Sequence, residues 1–402
     1  MKKIALGLAA FATLALTSCS SDDDNNLVFT NNVTAPDTYT FERDGNSTVS
    51  FGGQTTRIQM AQEIVSGMVD PSNTEAILDN MFAHVQDAND FSDANLNASD
   101  KNVRSKIAAS TDFYSANTTD ANNIKATFDF FIEEQVNTVF PNWSTTATAG
   151  VAGQLQQVGG GATRYVNDRG LEYNQAFAKG VIGALMVDQM LNNYLSLSVL
   201  DEADNKANNS AGVLDGTNNY TTMEHKWDEA YGYLYGNEDN PAVPVYEADK
   251  FLSEYVAKVN EDPDFEGIAL DIYNAFKLGR AAIVAKDYEL RDVQAQVIRG
   301  KISAVIGIRA IYYLQQGKAN LDLDKASAFH ALSEAYGFIY SLQFTRQPGT
   351  NDPYFTKDEV QQMLDQLMLG DGFWDVTASS LDAISNTIAA QFYFTAGQAG
   401  SL

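Results

Sequence analysis

Two short segments hold the residue types that could bind an ion. His225-Lys226-Trp227-Asp228-Glu229 and His330-Ala331-Leu332-Ser333-Glu334 each place an imidazole and a carboxylate four residues apart. On a helix, positions i and i+4 share one face, so each pair could offer a nitrogen and an oxygen to one cation. Mixed nitrogen and oxygen ligands suit iron or zinc. Glu172 and Asp188, charged residues on otherwise apolar segments, come next, because a buried charge must be paired or coordinated. The expected metal set is His225, Glu229 and Glu172, with His330, Glu334 and Asp188 as secondary candidates. The same His/Glu spacing also makes an ordinary helix-stabilising pair. Gly232 and Gly337, two turns further on, suggest close helix packing, whereas Glu224 and Asp228 add acidic neighbours that favour His225. Arg309 falls one position from Asp188 when the two long apolar helices are aligned, so a mutual ion pair is an equal reading for Asp188. His84 has no carboxylate at i+4 and reads as structural.

The two histidines belong to an internal echo. His225 to Tyr235 lies over His330 to Tyr340 with six of eleven positions identical. Upstream of each stands a long apolar segment, Gly180 to Leu195 and Gly300 to Gln315, with Glu172 and Asp292 each eight residues before the glycine. The order agrees in both halves, which points to an ancestral duplication, with the Asn/Asp-rich stretch Asp201 to Asn219 as an insertion in the first.

Around these segments apolar residues recur at three- and four-residue steps from Arg57 to Leu369 and beyond, enough for about ten helices. Before them, Tyr39 to Glu42 and Thr48 to Phe51 flank Asp44-Gly45, a pair suited to positive φ, so a small hairpin is expected. Seven of the eight prolines fall between helical segments, where a missing N–H costs least. Gly159-Gly160-Gly161 lacks the pattern of a phosphate loop and reads as a turn or a second hairpin. The fold class expected is mainly α: two pseudo-repeated helical bundles and a small N-terminal β-hairpin. The boundaries are residues 37–245 for the N-terminal helical half and 246–402 for the C-terminal half.

Composition removes several functions. Lys and Arg number 26 against 52 Asp and Glu, a formal charge of −26, which excludes a nucleic-acid binder that needs a basic face. No zincin helix, nucleophile elbow or cysteine nucleophile is present past residue 19, so no enzyme class is marked. Cys19 is the only cysteine, which leaves no disulfide framework.

Met1-Lys2-Lys3 and the thirteen apolar residues from Ile4 to Leu16 form an export signal, and thirteen residues reach only about 20 Å, too short to span a bilayer. Leu16-Thr17-Ser18-Cys19 resembles the lipobox of bacterial lipoproteins, which implies a signal peptide over 1–18 and lipidation at Cys19. Residues 19–36 form an acidic tether; Ser20 to Asn26 resembles the signal that sends lipoproteins to the outer face of the outer membrane. The expected partners are therefore the membrane through the anchor, an outer-membrane transport protein, and a small ligand or metal.

The duplicated helical core with a helix-borne His/Glu element is remotely similar to the imelysin-like group, which implies two modified four-helix bundles and a link to iron acquisition. Imelysins have His-x-x-Glu where this chain has His-x-x-x-Glu. More closely, Tyr39 to Arg43, Gly53 to Arg57, Gly170 to Gly180 and His225 to Ala230 resemble an uncharacterised lipoprotein family, domain of unknown function 4856. The leading functional expectation is a non-enzymatic outer-membrane lipoprotein that binds iron or an iron-bearing ligand in a cleft between helical halves. The alternatives are an accessory lipoprotein that docks a transporter, and a glycan- or peptide-binding lipoprotein.

Overall fold

The computed structural model describes residues 33–401 apart from Glu247. The expected signal peptide, Cys19 and most of the acidic tether lie outside the described residues. Among the described residues, ten helices of nine residues or more make up the frame. They are α1 (Gly52–Gly67), α2 (Thr118–Glu134), α3 (Tyr173–Val181), α4 (Thr222–Tyr235) and α5 (Leu252–Glu261). α6 (Ile268–Ala285), α7 (Tyr288–Asn320), α8 (Lys325–Ser341), α9 (Lys357–Leu367) and α10 (Ala378–Ala389) follow. Several start where polar side chains can replace missing backbone acceptors. Thr221 and Glu224 form a capping box at α4, Thr356 and Glu359 another at α9, and the Asp324 carboxylate caps α8.

Two hairpins complete the architecture. β1 (Glu42–Arg43) pairs antiparallel with β2 (Asn46–Ser47), and Asp44 and Gly45 between them both have positive φ, as the Asp-Gly pair requires. β3 (Gly153–Gln156) pairs with β4 (Thr163–Val166), so the glycine run Gly159 to Gly161 is the connection of a second hairpin.

α7, 33 residues long, runs through the middle and packs most extensively on α8 and α6. α8 also lies against α3. Trp227 of α4 is fully buried, donates its indole N–H to the Phe276 carbonyl at 3.0 Å and fills the space over Gly279, where a Cβ would stand 2.0 Å from its ring. Tyr231 and Tyr235 of α4 meet the Phe276 ring of α6 edge-on. One hydrophobic cluster therefore continues across residue 245, and Val33 onward is one compact unit. The line drawn at 245/246 separates two stretches of sequence and not two cores.

Beyond Val181, α3 continues in wider, π-helical turns over Ile182–Val187 and Met190–Tyr194. Such turns shift carbonyls out of the i to i−4 ladder. The Ala184 carbonyl accepts the Ala108 N–H at 2.8 Å, and the Asp188 carboxylate accepts those of Ala109 and Ser110 at 3.0 Å each. Asp188 is thus a docking point for the chain before α2. It is not Arg309's partner, as the alignment of the long helices suggested. The Arg309 guanidinium lies over the rings of Tyr312 and Tyr313 at 4.0 and 4.6 Å, where cation–π attraction replaces the ion pair.

Candidate functional site

Each histidine helix sits on the first turns of another helix. Where α4 meets α1, His225 Nδ1 donates to the Ser50 carbonyl at 3.0 Å, and the Ser50 N–H donates to Asp228 Oδ2 at 3.3 Å. One turn on, Gln54 Nε2 donates to Glu229 at 3.0 Å. Gly232 permits the approach, since a Cβ there would lie 2.4 Å from the Phe51 Cβ. Where α8 meets α3, His330 Nδ1 donates to Glu172 Oε1 at 3.0 Å and the Glu172 N–H donates to Ser333 Oγ at 2.9 Å. Lys179 reaches Glu334 at 3.3 Å, and a Cβ at Gly337 would lie 2.5 Å from the Lys179 Cβ. The third helix matches as well: Trp227 covers Gly279 of α6, and Leu332 covers Gly317 of α7.

The sequence echo therefore corresponds to a shared use of equivalent α4 and α8 positions, while the residues they meet on α1 and α3 differ in register. The upstream pairing read from sequence differs from the one observed. Ser50, and not Asp292, is the counterpart of Glu172; Asp292 instead accepts from Arg291 at 2.7 Å.

This placement decides which candidates meet. Glu172 stands with His330 and Glu334, and the set expected from sequence, His225 with Glu229 and Glu172, is not assembled. His330 has Glu172 at its Nδ1 and Glu334 at 3.7 Å from its Nε2. Carboxylates on opposite edges of one ring cannot share an ion with it, because a cation binds one ring nitrogen. His225 is held in the same way, with Nδ1 on a carbonyl, Nε2 4.0 Å from Glu229 and the ring stacked on Tyr220. Among the described residues no three His, Asp or Glu side chains are grouped to hold a metal. His84 is buried between Asp90 and the Asn97 carbonyl.

Beside the α4 seat lies a buried charge network that no sequence motif marks. Arg280 of α6, wholly inaccessible, donates to Asp228 at 3.0 Å, Glu224 at 3.2 Å and Thr48 at 3.0 Å. Tyr39 donates its hydroxyl to Asp228 at 2.7 Å, and Arg43 of β1 donates to Glu224 at 3.0 Å. Burial pushes the Asp228 carboxyl up to about 6, and the Arg280 guanidinium only partly offsets that. The network staples the first hairpin to α4 and α6. Its sequence signal is an arginine set in the otherwise uncharged stretch Leu278 to Ala285.

The hairpin so fixed forms one wall of an open cleft of about 530 Å³, with the turn Asn240-Pro241-Ala242 opposite. The Tyr39 N–H joins the walls at the Ala242 carbonyl, 3.0 Å away. Phe41, Val49, Phe51 and Pro241 supply apolar surface; Thr40, Ser47 and Asn240 supply hydrogen-bonding groups and Glu42 the one carboxylate. Tyr39 forms part of the lining and is itself backed by Tyr231, stacked at 3.6 Å. No helix among the described residues is long and apolar enough to cross a membrane.

These features define a mainly helical protein with a stapled N-terminal hairpin and an aromatic cleft beside it. The chain belongs to the family described as Domain of unknown function (DUF4856), whose model matches residues 36–395. No curated protein and no solved structure matches the chain.

Proposed function

We propose that this protein is a lipid-anchored, non-enzymatic binding protein of the outer membrane that takes a short, uncharged glycan or peptide segment in the hairpin cleft. The observation behind this reading is the cleft itself. Its volume of about 530 Å³ lies within the usual range for small-molecule sites, and its lining mixes apolar faces with a few neutral hydrogen-bonding groups and a single carboxylate, Glu42. That chemistry suits ligands with an apolar face and several hydroxyls or amides. The buried staple supports the reading further, because a wall fixed by Arg280, Asp228 and Glu224 is pre-organised for binding. The anchor rests on Leu16 to Cys19 and the acidic tether. The cleft wall begins at Tyr39, just past that tether, so binding would take place close to the anchored end of the chain.

Isothermal titration of the soluble protein starting at Ser20 with neutral oligosaccharides and short peptides tests this. Ser47 is exposed on the cleft lining, so Ser47→Trp fills the cleft without disturbing the core. Saturable binding weakened at least about tenfold by Ser47→Trp, with an unchanged melting temperature, is the expected result. Binding indifferent to Ser47→Trp, or none by folded protein, contradicts it. Stoichiometric uptake of Fe(II) or Zn(II) that His330→Ala abolishes would put the iron-binding reading in its place.

A further inference from the structure

A second cleft, of about 310 Å³, opens between the end of α3, the first half of α7 and the loop Gly349 to Asn351. Its character is opposite to that of the hairpin cleft and of the chain as a whole. Two arginines line it, Arg299 of α7 and Arg346, each about 3% exposed or less, with Asp112 as the one carboxylate among the lining residues. Asp112 is already spoken for. It accepts from Ser196 at 2.6 Å, from Ser198 and from the Arg346 guanidinium. Burial alone would raise its carboxyl, but these bonds outweigh burial and hold it below the usual range.

Arg299 is left over. Its Nη2 donates to the Leu195 carbonyl at 2.7 Å, its Nε has no hydrogen-bond partner, and among the described residues no carboxylate lies within ion-pair distance. Burial and the nearby Arg346 depress its guanidinium to about 10, against the weaker attraction of Asp112 and Asp292, and it is still charged at neutral pH. A buried guanidinium without an ion-pair partner is costly in an isolated protein. An anion entering the cleft would complete it, since a planar guanidinium matches the oxygens of a carboxylate or phosphate.

We propose that this cleft binds a small oxyanion, a carboxylate or phosphate group, on Arg299, with Arg346 fixed behind it by Asp112 and Asn351. The two arginines and one aspartate leave one net positive charge in a chain whose formal charge is −26. A volume of about 310 Å³ accommodates a single sugar acid or a phosphate with its hydration, not a polymer.

The test is calorimetric titration of the soluble protein from Ser20 with sodium glucuronate and with sodium phosphate at constant ionic strength, sodium chloride being the control. Arg299→Met removes the charge. Asn351→Trp, at an exposed position on the lining, fills the cleft and serves if Arg299→Met does not fold. Saturable binding of either anion, weakened at least about tenfold by both folded variants, is expected. Glucuronate alone identifies a carboxylate ligand, and phosphate alone a phosphate-bearing one. No saturable heat beyond the chloride control, or binding unchanged in the variants, overturns the proposal. The hairpin-cleft reading stands or falls separately, because Ser47→Trp does not touch this cleft.

Discussion

The α4 and α8 faces carry equivalent histidine, glutamate and glycine positions and solve the same packing problem with different partners and electrostatics. At α4 the fourth position is Asp228, buried and paired with Arg280; at α8 it is Ser333, whose hydroxyl accepts the Glu172 N–H. At α4 the histidine donates to a backbone carbonyl; at α8 it donates to a carboxylate that is 3% exposed. The charge thus stands on the histidine's partner in one seat and on the histidine helix itself in the other. Where it stands on the helix, Arg280 and Tyr39 meet it, Arg43 joins through Glu224, and the hairpin is held with them. The aromatic cleft follows from that hairpin, and the α8 seat has neither. Equal motifs here specify similar packing; the unequal neighbour at one position specifies where the hairpin, and with it the aromatic cleft, is fixed.

The largest effect is expected at Arg280. Arg280→Met leaves Asp228 and Glu224 buried without their cation and should cost about 3–5 kcal/mol in denaturant unfolding. A loss under about 1 kcal/mol would mean that the staple is dispensable and that the two seats are energetically alike.

The second test concerns a buried carboxylate beneath the α8 seat that has no cation. Burial raises Asp188 to about 6, with the Ser110, Asn192 and Ala109 hydrogen bonds acting against the shift. A carboxyl whose folded pKa lies above its unfolded value binds protons more tightly when folded. Its stabilising contribution is complete below about pH 4 and is lost as pH rises through about 6. Asp188→Asn abolishes that dependence, so from pH 4 to pH 7 the variant should gain on the wild type by roughly 2–3 kcal/mol. A stability difference that is flat with pH refutes it.

Next come the glycines. Gly232→Ala and Gly337→Ala each force a Cβ into contact at 2.4–2.5 Å and should cost about 1–3 kcal/mol apiece, similar in the two seats. A large loss in only one would break the equivalence. The histidines give the smallest effects and divide the seats. His330→Ala strands the buried Glu172 carboxylate and should cost about 2 kcal/mol, whereas His225→Ala frees only a carbonyl and should cost about 1 kcal/mol. Equal losses would argue against the difference in partners.

Much of this architecture was readable in the residues. The Asp44-Gly45 hairpin, the helical periodicity and the echo from His225 to Tyr235 all have local causes, and local causes leave local patterns. Gly232 and Gly337 signalled close packing, and the contacts agree. What failed were inferences about partners far apart in sequence. Glu172 meets His330 across 158 positions, and Arg280 meets Thr48 across 232. Aligning Asp188 with Arg309 assumed that the long helices pair through their charges. The π-helical turns of α3 instead turned Asp188 toward the backbone of Ala109 and Ser110. The arginine cleft left still less trace, since its lining comes from four separate stretches of the chain: Asp112, Ser196 to Ser198, Gln296 with Arg299, and Arg346 to Asn351.

The central claim is that the two His-x-x-x-Glu segments clasp helix starts and that ligands are bound elsewhere. With only three histidines in the chain, long-range nitrogen–proton NMR of the imidazole rings resolves each one. The expected spectrum has the proton on Nδ1 of both His225 and His330, as their acceptors require, and it stays unchanged on adding equimolar Zn(II). Loss of either Nδ1 proton, or a metal-induced shift at either Nε2, would contradict the account and return the histidines to a metal site.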